Sequence, residues 1–274
     1  MSDWKRVGTV MQAELHEARL QAHYAAQWLA RAARAFVPAR PDDGHTSLLW
    51  DDAFDGLTTQ TLPNGSQLGL RIAGLTLVLR NGADQAFTLD ARNDADARAW
   101  LGRHLSAAGM DAHALDAPSP YEMPGHPIAD GAAYAAARSG DALGELANWY
   151  ANANASLGGI RQQLAARKLA APPARCWPHH FDLDTLVSLG GERTVGAGFS
   201  PGDEYYDEPY FYVSLYPAPD IAALPGLHMV GHWHDMDFAA AIAPASRIVA
   251  GKDCQAGTEE FLRTTVDIAL KTLA

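Results

Sequence analysis

The sequence predicts an α+β fold in which mainly antiparallel sheets pack on long helices. Two observations carry this: long stretches with apolar residues at helical spacing, and short alternating runs between them. A third is the order of the elements, because each half of the 274-residue chain reads helix, strands, helix.

The first helix is expected over Val10 to Val37, where Met11, Leu15, Ala18, Ala22, Ala25, Leu29, Ala32 and Phe36 recur on one face and Pro38 and Pro41 close the run. Short strands follow at Leu48 to Asp52, Ser66 to Ala73 and Gly74 to Arg80, with turn signals at Pro63-Asn64-Gly65 and Asn81-Gly82. Asp94 to Ala108 reads as a helix ended by Gly109. A loop rich in proline then runs to Pro127 through Pro118, Pro120 and Pro124. Beyond it come a helix from Asp141 to Leu169, four strands at His179 to Leu189, Thr194 to Phe199, Pro209 to Tyr216 and His228 to His234, and a last helix from Thr258 to Leu273.

The expected organisation is one compact unit over 1–274, with lobes 1–112 and 128–274 joined by the Pro-rich loop 113–127. The two halves are expected to be pseudo-repeats. Trp50-x-x-x-Phe54-Asp55 matches Trp177-x-x-x-Phe181-Asp182 at a constant offset, and that offset also carries the first helix onto the third.

Composition narrows the function classes. Apolar residues make up 48% and charged residues 19%, which is globular usage rather than that of a disordered chain. No apolar run approaches the roughly 18 residues that span a bilayer, and Lys5 and Arg6 are followed by no apolar segment, so neither a membrane span nor a signal peptide is expected. Cys176 and Cys254 stand far apart without CxxC spacing, as thiols of a reducing compartment do, and the expected location is the cytoplasm. The formal net charge is −11, and from Thr194 to Ser246 there is no Lys or Arg while seven acids occur. Such a surface repels phosphate backbones, so nucleic acid is not an expected partner.

Five of eleven His and five of nine Tyr fall between Cys176 and Asp237. Strand alternation sorts them by face. Phe211, Val213 and Leu215 point one way, and Tyr210, Tyr212, Ser214 and Tyr216 the other; Met229 and Trp233 oppose His228, His232 and His234; Phe181, Leu183 and Val187 oppose His180, Asp182 and Asp184. His179 then falls on the apolar side, as a core histidine. The expected site is the polar face holding His180, Asp182, Tyr210, Tyr212, His232 and His234.

Two histidines at i and i+2 on a strand can aim at one cation, and Asp182 would complete a three-ligand set for Zn, Fe or Mn with an open position. Glu204 or Tyr212 would then move protons. Against this stands the simpler reading that these histidines bond to backbone or to tyrosine hydroxyls on a half-buried sheet. The acidic run Gly202 to Glu208 reads first as a polar connection between strands. Gly226-x5-His232-x-His234 opens like a cupin metal motif, but the Glu that should follow is absent, and no GxSxG, Walker loop or HExxH occurs.

The segments Cys176-Trp-Pro-His-His-Phe-Asp-Leu, Gly198 to Val213 and Gly231-His-Trp-His resemble a family of uncharacterised bacterial proteins, a domain of unknown function. The likeness extends over most of the chain, including Gly56 to Thr59. It implies a bacterial source and a shared site, and it brings no assigned reaction.

Three classes of function stay open: a protein binding a small organic ligand on the Tyr/His face, a metal-dependent hydrolase or oxygenase using His232 and His234, and a homodimer whose tyrosines form the interface.

Overall fold

The computed structural model describes residues 4–227 and 230–274. It contains five α-helices and two antiparallel sheets, an α+β fold. The chain divides into two compact units, one formed by Val10–Ala147 and Cys176–Phe181, the other by the residues through Thr9, Asn148–Arg175 and Asp182–Ala274. The Pro-rich stretch 113–127 lies wholly inside the first unit, and the long helix α3 (Gly140–Ala166) runs from one unit into the other.

The first unit is a five-stranded meander, β1 (Leu49–Asp51), β2 (Gly56–Thr58), β3 (Gln67–Arg71), β4 (Thr76–Arg80) and β5 (Gln85–Thr88), in that spatial order. Helix α1 (Gln12–Phe36) buries Leu15, Ala18, Ala22, Ala25, Leu29 and Ala32, the face that its periodicity marks. Helix α2 (Asp94–Ala107) starts at Asn93, whose side chain accepts the Asp96 backbone N–H, and stops before Gly109, which adopts φ +78. The central strands supply a leucine core of Leu57, Leu68, Leu70 and Leu77, each with no exposed area. Strands β2 and β5 went unseen in the sequence: Gly56–Thr58 is too short to show alternation, and Gln85–Thr88 is a half-exposed edge.

In this unit the strand expected at His179 to Leu189 is interrupted. Residues Arg175–Trp177 form β6, a turn follows, and the next strand begins at Asp182. The Phe181 N–H bonds back to the Trp177 carbonyl at 2.7 Å with Phe181 at φ +59, which breaks the alternation. The Pro178 carbonyl accepts from the side chains of His23 and Gln27, and Phe181 stacks on the His23 ring at 4.9 Å. The buried histidine of this region is therefore His23, while His179 is exposed, contrary to its expected place on the apolar side.

The second unit is built on β7 (Asp182–Gly190), β8 (Arg193–Ser200), β9 (Tyr210–Tyr216), β10 (His232–His234) and β11 (Ala240–Pro244) in the spatial order β10-β11-β9-β8-β7. Strand β11 was not expected. It is a run of five buried residues without alternation, the pattern of a strand covered on both faces. His228 and Met229, expected at the start of β10, lie outside the described residues. Behind the sheet, Leu183, Val187, Val195, Phe199, Phe211, Val213 and Leu215 are buried. Phe199 and Phe211 pack with Trp149 and Tyr150 of α3, and α5 (Cys254–Thr272), which buries Phe261, Leu262 and Val266, lies against β8 and β9. The Asp253 side chain caps α5 by accepting the Ala256 N–H. No helix among the described residues is long and apolar enough to cross a membrane.

Candidate functional site

With α3 and α5 occupying one face of the second sheet, alternation delivers the polar residues to the other. Strand pairing aligns them in rows: His232 pairs with Ile242, Ile242 with Tyr212, Tyr212 with Gly198 and Gly198 with Asp184. One step along, Tyr210 lies between Pro244 and Ser200. Asp182, Tyr210, Tyr212, His232 and His234 thus share a face.

Their contacts define two groups. In the first, the Tyr212 hydroxyl donates to Asp182 Oδ2 at 2.5 Å. Tyr212 is on β9 and Asp182 on β7, so the phenol crosses β8, and it does so over Gly198, where a Cβ would come within 2.7 Å of Tyr212 Cε1. Glycine is required there for space and not for backbone freedom. Burial pushes the Asp182 carboxyl up to about 6, against the bonds from Tyr212 and its own backbone N–H, with the Asp203 charge adding to the rise. Burial and the neighbouring charges of Asp182 and Asp184 hold the Tyr212 phenol well above its ordinary range.

In the second group, Tyr206 stands between the two histidines, its hydroxyl 3.0 Å from His232 Nε2 and 2.9 Å from His234 Nδ1. With both rings neutral, the phenol donates to one ring nitrogen and accepts from the N–H of the other, so the two tautomers are linked through it. Tyr206 is placed by Asp203, whose Oδ1 accepts the backbone N–H groups of Tyr205 and Tyr206 at 2.9 and 3.0 Å, and whose Oδ2 accepts the Tyr210 hydroxyl at 2.5 Å. Ring contacts tie the groups into a chain, Tyr206 to Tyr210 at 5.1 Å and Tyr210 to Tyr212 at 6.1 Å. Phe238 stacks on His234 at 4.3 Å. Desolvation, with the charges of Arg247 and His234, lowers the pKa of His232.

Three atoms on this face are buried without a hydrogen-bond partner from another residue: Asp182 Oδ1, His232 Nδ1 and His234 Nε2. Among the described residues they are the only titratable side chains in that condition.

The expected metal set is not assembled. From β7 to β10 the sheet takes four strand steps, roughly 19 Å at the usual spacing, so Asp182 cannot share an ion with His232 and His234. Among the described residues no three His, Cys, Asp or Glu side chains converge as a ligand group. His180 is not delivered to this face either. It precedes β7, is exposed, packs its ring on His179 at 4.2 Å, and belongs to the first unit. Glu204 is exposed on the loop before β9, and the carboxylate that organises that loop is its neighbour Asp203. Tyr206 escaped the sequence reading because it lies in an irregular connection, where period two has no hold; the Asp three residues before it was the available signal for the turn. Compared with known proteins, the chain matches no family model, no curated protein and no solved structure.

Proposed function

We propose that the protein binds a small polar organic molecule along the tyrosine, histidine and acid-lined face of its second sheet. The observation that carries this is the set of three orphaned atoms, Asp182 Oδ1, His232 Nδ1 and His234 Nε2. A buried donor or acceptor left unmade costs about 1–3 kcal/mol, and three titratable ones on a single face call for a partner with polar groups spread along it. The tyrosines between them offer flat apolar surface with hydroxyl handles. The metal-dependent alternative loses its carboxylate ligand, and Tyr206 already occupies the inner nitrogens of both histidines.

Native mass spectrometry of the full chain, purified without chelator or tag, tests the reading together with elemental analysis. The expected result is a small organic adduct, or its uptake from a metabolite extract, that is lost in Tyr210→Phe/His234→Ala. Absence of any adduct from both preparations would overturn it. Stoichiometric Zn, Fe or Mn that disappears in His232→Ala/His234→Ala would transfer support to a metalloenzyme.

A further inference from the structure

Resting on that reading, we infer that the ligand is cationic and that its protonated amine is held at Asp182. The enclosed Asp182 carboxylate has one oxygen bonded to the neutral Tyr212 hydroxyl and the other, Oδ1, buried with no donor from any other residue. Among the described residues, the groups whose charge acts on the Asp182–Tyr212 pair are the carboxylates of Asp203 and Asp184 and the phenol of Tyr210, none of them cationic. An ionised buried carboxylate without a counter-charge is among the most costly arrangements in a fold. A ligand ammonium bonded to Oδ1 provides both the missing donor and the missing charge.

The rest of the face agrees in sign. The sequence from Thr194 to Ser246 contains no Lys or Arg, so no cationic side chain of that stretch can occupy the position. Arg247, the first cation after it, acts at the other end of the face, on Tyr206 and His232. The face is therefore polarised, with carboxylates at the β7 end and a guanidinium near β10. The ring of Tyr212, whose hydroxyl reaches Asp182, packs at 6.1 Å from that of Tyr210, so aromatic surface lies close to the carboxylate. Recognition of this kind selects primary or secondary amines attached to an apolar or aromatic body.

Three matched probes test it by isothermal titration at neutral pH: 2-phenylethylamine, the neutral 2-phenylethanol and the anionic phenylacetate. The amine is expected to bind saturably to the native protein and at least tenfold more tightly than either analogue. Asp182→Asn, which keeps an acceptor for Tyr212, should weaken the amine at least tenfold while leaving the circular dichroism spectrum unchanged. Equal or tighter binding of the alcohol or of phenylacetate overturns the inference but leaves the ligand-binding reading intact, as does an unaltered amine affinity in Asp182→Asn. Failure of the amine to bind also overturns it, and the adduct measurement then decides separately whether the face binds another class of molecule. The comparison among probes needs only native protein, so it stands even if the variant folds poorly.

Discussion

Asp182 sits where desolvation works against its charge, and this has a consequence for stability. Its folded-state pKa, about 6, lies above the ordinary carboxyl value of 3.8. A group raised in this way binds more protons folded than unfolded, so its unfavourable contribution is complete above the folded value and vanishes below the unfolded one. The size is set by the difference between the two values and amounts to about 2–3 kcal/mol. Asp182→Asn removes the charge but keeps an acceptor for the Tyr212 hydroxyl. The variant is therefore expected to melt several degrees higher than native protein at pH ~7.5, with the gap closing by pH ~4. Thermal melts at both pH values check this. A variant less stable than native protein at pH ~7.5 would show that Asp182 is neutralised by a partner within the fold. Together with a loss of amine binding, the expected gain would place Asp182 among residues that trade stability for a site.

At the scale of elements, the legible parts of the site are those built on clean alternation. Strand β9 buries Phe211, Val213 and Leu215 on one side and presents Tyr210, Tyr212 and Ser214 on the other, and β7 repeats the pattern from Asp182 onward. Where a local bond interrupts the period, the reading fails. The turn closed by Phe181 removes His180 from the strand, and β11 hides its period because both of its faces are covered. The connection between β8 and β9 was illegible for a different reason, since its conformation depends on one carboxylate. Asp203 accepts two backbone N–H groups and the Tyr210 hydroxyl, while its own N–H bonds to the Tyr206 carbonyl at 2.9 Å. Asp203→Ala leaves those donors unmet and should cost about 2–3 kcal/mol. The loss should be local: hydrogen exchange of residues 203–208 should accelerate, and Tyr206 should part from the histidines, while β7 and β8 keep their protection. Unchanged exchange in the loop would assign its order to the packing of Tyr206 and Phe238 instead.

For the whole molecule, order of elements was easier to read than membership. Both sheets are antiparallel and follow a long helix, and each places a glycine beneath an aromatic ring, Gly69 in the first and Gly198 in the second, but only the first is a meander, since β11 lies between β9 and β10 in the second. The rings come from different elements, Phe54 before β2 and Tyr212 in β9, and the β10–β11 hairpin has no counterpart in the first sheet. The two sheets therefore differ in strand order, which counts against the expected pseudo-repeat. Charge is the other property that belongs to the chain as a whole. A formal charge of −11 and a pI near 5.4 give a repulsive long-range field for polyanions. Binding to a phosphate backbone gains most of its non-specific affinity by releasing counterions to Lys and Arg, and the stretch that carries the candidate site has none between Thr194 and Ser246. Fluorescence anisotropy with labelled duplex DNA and single-stranded RNA at about 100 mM salt should therefore show no saturable binding below about 100 µM, the usual non-specific range. Lowering the salt should not rescue it, because the repulsion grows as screening is withdrawn. Saturable binding that weakens with added salt would reveal a basic surface in the first unit, where Arg31, Arg34 and Arg40 are the cations to replace.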